Sequence, residues 1–158
     1  MVRRRELSAP ATLSLPDPSL EVLHPPLLGP EGNENSRSLV LMVRSAELSI
    51  LLTGDLEGTG LERVLGMRRI PVDVLMAPHH GSKTANTPEL AKWASPALVV
   101  SAQGAPRGNP KTVLPYEGAG AHYVTTWKHG AITIRKDDGR WIAESYLTKQ
   151  TWEVRKKG

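Results

Sequence analysis

The chain of 158 residues contains no cysteine and no phenylalanine. Without cysteine there are no disulfides, no thiolate-held zinc or iron–sulfur cluster, and no thiol nucleophile. Aromatic residues reach only 4%, so the core has to be built from Leu, Val, Ile and Ala. No apolar run approaches the roughly 18 residues of a membrane span. The basic cluster Arg3-Arg4-Arg5 is not followed by an apolar stretch, which argues against a secretory signal. These absences predict a soluble chain that would stay in the cytoplasm when alone. Charge of one sign is also scarce: 20 basic residues against 16 acidic give +4. That excess is compatible with a nucleic-acid partner and too small to demand one.

What is present reads as one domain with a change of character along it. Residues 1–19 form an irregular, Pro-rich lead-in, residues 20–148 a domain, and residues 149–158 a basic tail. Pro10, Pro16, Pro18, Pro25, Pro26 and Pro30 exclude a long helix from the first thirty residues, which hold one extended piece, Leu20–Leu23. Ser38–Arg44 and Glu47–Thr53 are strand-like runs separated by Ser45-Ala46, a spacing that predicts a hairpin. Their near-continuous apolar character suggests a sheet covered on both faces. Thr59-Gly-Leu-Glu62 has capping-box spacing and predicts a helix there. Further strands are expected at Pro71–Met76, Ala97–Ser101, Tyr123–Trp127, Ala131–Arg135 and Arg140–Tyr146. Thr87-Pro88 predicts a helix to about Ala94, and Asn109-Pro110 a short one ended by Pro115. Asp138-Gly139 marks a hairpin. The class is α/β (or α+β): a mixed sheet with flanking helices and a C-terminal antiparallel hairpin.

Two segments can carry chemistry. In Leu51-Leu-Thr-Gly-Asp55 an apolar strand ends in Gly54, after which a carboxylate emerges where α/β proteins place their sites. Asp55 either points into a cleft or caps the helix starting near Gly58. In Ala77-Pro-His-His-Gly-Ser82 two imidazoles leave the end of the next apolar strand, with Gly81 permitting a tight loop. If the two strands pair in parallel, Asp55, His79 and His80 share one edge. A carboxylate and imidazoles suit Zn²⁺ or Mn²⁺.

Together, Asn35–Leu41, Leu51–Asp55, Asp73–Ser82 and Gly130–Ile134 resemble the metallo-β-lactamase-fold domain of ComEC-type DNA-uptake proteins over roughly residues 20 to 147. The resemblance implies an αββα sandwich, two divalent metals and hydrolysis of a phosphodiester in DNA. It maps the metal-bridging aspartate onto Asp55 and a metal-ligating histidine onto His79 or His80. It makes Asp55 and His80 the catalytic pair, and Ser82 and Asn109 residues of the surrounding loops. The His-x-His-x-Asp-His motif of that family is missing, so the chain corresponds to the later half of the domain. His24 alone precedes Asp55, and His122 and His129 match no family ligand.

Asp55 with one or two histidines gives at most three donors, enough for one weakly held cation and too few for a pair. Half a sandwich would also leave an apolar sheet face uncovered. The leading expectation is therefore an incomplete nuclease domain. An upstream polypeptide would supply the missing ligands and the rest of the sandwich, and could tie the chain to a membrane. The alternatives are a non-catalytic relative serving binding or assembly, and a small basic α/β binding module. Single-stranded DNA is the expected nucleic-acid partner. The cationic residues Arg135, Lys136, Arg140, Lys149, Arg155, Lys156 and Lys157 gather late in the chain.

Overall fold

The computed structural model describes residues 8–13, 17–105 and 113–154. Seven strands form one sheet in which spatial order follows chain order: β1 (Ala11–Leu13), β2 (Ser19–His24), β3 (Val40–Arg44), β4 (Ser49–Leu52), β5 (Val74–Met76), β6 (Leu98–Ser101) and β7 (His122–Thr125). Strands β1 to β4 pair antiparallel, and β4 to β7 pair parallel. The switch falls at β4 because the β3–β4 turn is short, whereas each later connection carries a helix and can return parallel. These helices are α1 (Gly58–Leu65), α2 (Pro88–Ala94) and α3 (Leu114–Glu117). A short α4 (Thr126–His129) leads into a second, three-stranded antiparallel sheet of β8 (Ile132–Asp137), β9 (Arg140–Ser145) and β10 (Thr151–Val154). No described helix is long and apolar enough to cross a membrane.

Strand periodicity divides the core in two. Val40, Met42, Leu51, Leu75 and Val99 point to one face and pack with Leu61 and Val64 of α1, Leu90 and Ala94 of α2, and Tyr116 of α3. Val74, Leu98 and Val124 point to the other face and pack with Ala143 and Val154 of the small sheet, flanked by Ile132, Ile134, Trp141 and Trp152. The apolar character of β3 to β6 thus reflects burial on both sides. At the N-terminal ends of β4 and β5, the Asp73 carboxylate accepts from the Ser49 amide (2.8 Å) and hydroxyl (2.7 Å), which accounts for a buried acid there.

Several expectations change. The stretch 1–19 contains β1, an edge strand too short to show periodicity between prolines. The stretch 149–158 contains β10: Trp152 and Val154 alternate inward among polar neighbours and close the second core. The capping box at Thr59 does not form. Glu57 is the N-cap residue without a side-chain cap bond, and the Thr59 hydroxyl donates to the Glu31 carbonyl. Thr126 and Trp127 leave the strand for α4 because Thr125 caps Lys128 N–H. The uncovered apolar face is smaller than half a sandwich implies, since the small sheet covers β4 to β7. On β3 and β4, Leu41, Val43 and Ile50 stay half-buried and Leu52 is 38% exposed. The predicted cap at Thr87 does form, with Thr87 Oγ1 accepting from Leu90 N–H at 3.3 Å. The Asn109-Pro110 helix start lies outside the described residues.

Candidate functional site

Because β4 and β5 run parallel, their C-terminal ends open on one edge, and two loops leave side by side. Thr53 donates its hydroxyl to the Met76 carbonyl (2.7 Å), and His79 N–H donates to the Gly54 carbonyl (3.1 Å). Gly54 has φ +53°, the left-handed conformation that turns the chain sharply before Asp55. The second loop is more unusual. His79, His80 and Gly81 all have positive φ (47°, 52° and 76°). Two consecutive non-glycine residues in this region store backbone strain, which has to be held by the surroundings. Asn86 provides part of that hold, donating to the Pro78 (2.9 Å) and Ser82 (2.8 Å) carbonyls. Tyr116 donates its hydroxyl to the Asn86 side-chain oxygen (3.0 Å), and burial raises the Tyr116 pKa, keeping it a donor. At Gly81 a Cβ would lie 2.7–2.8 Å from Gln103 Oε1, Ser101 Oγ and Tyr123 Oη, so a side chain there requires these groups to move. Ser82 bonds the Thr84 hydroxyl within the loop (2.7 Å).

The two histidines are oriented differently. His80 Nδ1 lies 2.7 Å from the Ala102 carbonyl, an acceptor only, so Nδ1 carries a proton and, in the neutral ring, the lone pair is at Nε2. That Nε2 faces Asp55 Oδ1 at 3.6 Å, with both side chains largely solvent-exposed. His79 Nδ1 donates to Glu57 Oε2 at 2.8 Å. Glu57 in turn accepts from the Asn33 (3.1 Å) and Asn35 (2.8 Å) amides through Oε1. These donors, Asn35 first and then His79, hold the Glu57 carboxyl below its ordinary range. The imidazole rings lie 6.3 Å apart at 63°.

His80 Nε2 and Asp55 Oδ1 are two electron-pair donors facing one another, an arrangement that favours a positive charge between them. Ligands about 2.0–2.2 Å from a shared zinc sit roughly 3.3–3.6 Å apart at tetrahedral angles, so the pair fits one side of such a site. It does not make a whole one. Among the described residues no group of three or more His, Asp or Glu side chains is arranged for a metal ion.

Asp55, His79, His80 and Ser82 are therefore brought together, while Asn109 lies outside the described residues. Asp55 does not cap α1. His122 is exposed on β7, and His129 is buried with its ring edge-on to Trp152 at 5.1 Å. His24 is buried, with Nδ1 2.9 Å from the Ser38 carbonyl. Glu57, Asn33 and Asn35 are the site residues that sequence reasoning missed. Glu57 follows Asp55 by two positions and Asn35 opens one of the quoted motif segments, but only folding brings residues 22 to 46 positions apart together. The late cationic residues are partly neutralised. Arg135 pairs with Asp137 (3.0 Å) and Glu144 (3.4 Å), Lys136 with Glu47, and Lys149 sits over the Tyr146 ring at 4.8 Å.

No protein-family profile matches the chain. It is 36% identical over 93 residues to ComE operon protein 3 of Bacillus subtilis and 36% identical over 77 residues to Recombination protein 2 of Haemophilus influenzae. Those stretches cover 58% and 49% of this chain. It is also 28% identical over 130 residues, 77% of its length, to the Escherichia coli protein YcaI, described as uncharacterized. The matched stretches span only 12%, 9% and 17% of these relatives.

Proposed function

We propose that the chain carries the later part of a metal-dependent phosphodiester hydrolase of the metallo-β-lactamase kind, acting on DNA during uptake, whose remaining metal ligands lie outside residues 1–158. The observation that carries this is the pairing of Asp55 with His80 Nε2 at the common edge of β4 and β5. Asp55 and His80 would be this half's share of a site for Zn²⁺ or Mn²⁺, with His79 beside it. A divalent cation supplies Lewis-acid stabilisation of the phosphoryl oxygens in such reactions. The chain's own contribution is to hold the Asp55 carboxylate and the His80 lone pair at a fixed spacing on a strained, clamped loop. The remaining ligands would come from a segment carrying His-x-His-x-Asp-His. The names ComE operon protein 3 and Recombination protein 2 accord with a DNA-handling role.

The test mixes the full chain with a polypeptide supplying that motif, in Mn²⁺, and follows a labelled single strand. Cleavage that depends on the pair and on Asp55 is the expected result. A second reading, a non-catalytic binding or assembly module, is favoured by the lack of a three-donor group among the described residues. Under it, no complemented pair cleaves DNA. For the chain alone, calorimetry with Mn²⁺ or Zn²⁺ is expected to show weak binding or none. A tight isotherm of two equivalents would overturn the half-site.

A further inference from the structure

We propose that Glu57 is the positioning residue of this site, a carboxylate that fixes the tautomer of His79 so that in the neutral ring the lone pair is at Nε2. Oε1 accepts from Asn33 and Asn35 while Oε2 accepts from His79 Nδ1. Three donors converge on one group, and only an ionised carboxylate offers acceptors on both sides. An acceptor at Nδ1 places the ring's single proton there and leaves the lone pair at Nε2. This is the arrangement by which a carboxylate behind a histidine prepares the far nitrogen for a cation. The Glu57 side chain is 19% exposed, against 33% for His79, and meets the ring at its Nδ1 edge. The Ala102 carbonyl does the same for His80, which makes both imidazoles equivalent in tautomer while their supports differ.

Glutamine cannot replace Glu57. Its one carbonyl can serve either the two asparagines or His79, and its amide then opposes a donor on the other side. Why an open Nε2 matters rests on the proposed cation site, but the tautomer itself does not.

The experiment is a long-range proton–nitrogen correlation spectrum of the histidine rings in the full chain without metal, at a pH where they are neutral. Expected are a protonated Nδ1 and a lone-pair-type Nε2 at His79, and a shift toward Nε2–H in Glu57→Gln and Glu57→Ala. His80 should be unchanged in both variants. A protonated Nε2 at His79 in the native chain, or a tautomer unmoved in both variants, overturns the proposal. Should neither variant fold, the native spectrum decides it alone. A parallel Mn²⁺ titration of the complemented pair should show Glu57→Ala weakening affinity roughly 10–100-fold. If the tautomer behaves as expected and the native pair binds no Mn²⁺, the proposed function fails and the positioning role of Glu57 stands.

Discussion

Asp55 and His80 stand as two donors 3.6 Å apart, and among the described residues no third His, Asp or Glu joins them in an arrangement for a metal ion. Asp55→Asn keeps the shape and removes the charge, so in a complemented pair it should be the most damaging change in this chain. His80→Ala is expected to follow closely, because His80 Nε2 is the atom facing Asp55. His79→Ala should differ from it in severity, since that ring is the one supported by Glu57. Initial rates of single-strand cleavage check the order, and undiminished activity in Asp55→Asn would remove the site altogether. Gly81→Ala belongs to stability as much as to activity. A positive φ costs an alanine about 1–2 kcal/mol, and the Cβ would meet three side-chain oxygens at 2.7–2.8 Å. An unfolding free energy from urea titration that falls by about 1–2 kcal/mol is expected, and an unchanged value would mean the loop relaxes freely.

Each site loop owes its position to the strand and helix it joins. Gly54 turns β4 into α1, and the histidine loop turns β5 toward α2. The α2 start is secured by Thr87, so Thr87→Ala should cost about 1 kcal/mol in denaturant unfolding. Thr59→Ala should not behave as the loss of a helix cap, because its hydroxyl bonds the Glu31 carbonyl. The last element, β10, seals the second core through Trp152 and Val154. Trp152 also covers His129, whose pKa burial pushes down from 6.5, with the Lys128 charge acting in the same direction. A folded pKa below the unfolded one means the unfolded chain binds the extra proton as pH drops through about 6.5. Stability is therefore full above that pH and declines as it falls toward the folded value. Denaturant midpoints at pH 8 and pH 5.5 should show the decline, and His129→Gln should flatten it.

On the scale of the whole molecule, the charge and the apolar surface set what the chain can meet. Arg135 and Lys136 are engaged by neighbouring acids, and the excess over the whole chain is only +4. Binding of single-stranded DNA by the chain alone is expected to be weak and to fall steeply as salt rises, because it depends on released counterions. Affinity unaffected by salt, measured by fluorescence anisotropy, would contradict this. The half-exposed face of β3 and β4, with Leu52 at its rim, is where concentration-dependent association should begin.

The near-continuous apolar runs of β3 to β6, the short β3–β4 gap and the Thr87-Pro88 cap are local signals, and the mixed sheet with its helices follows from them. The same holds for Asp55 and the histidine loop, each announced by an apolar strand ending in glycine-containing sequence. Other features were invisible because they depend on contacts between distant segments. Ala11–Leu13 becomes a strand by pairing with β2, and Thr151–Val154 by closing over the second core. Glu57 lies two residues before the expected cap at Thr59, and no local pattern singles it out. Its role appears only when the Asn33–Asn35 turn arrives from 22 to 24 residues upstream and His79 from 22 downstream. Residue type and strand periodicity are properties of a short stretch of chain, so sequence carries them. Which carboxylate stands behind which imidazole is a matter of three-dimensional distance, and folding alone sets it.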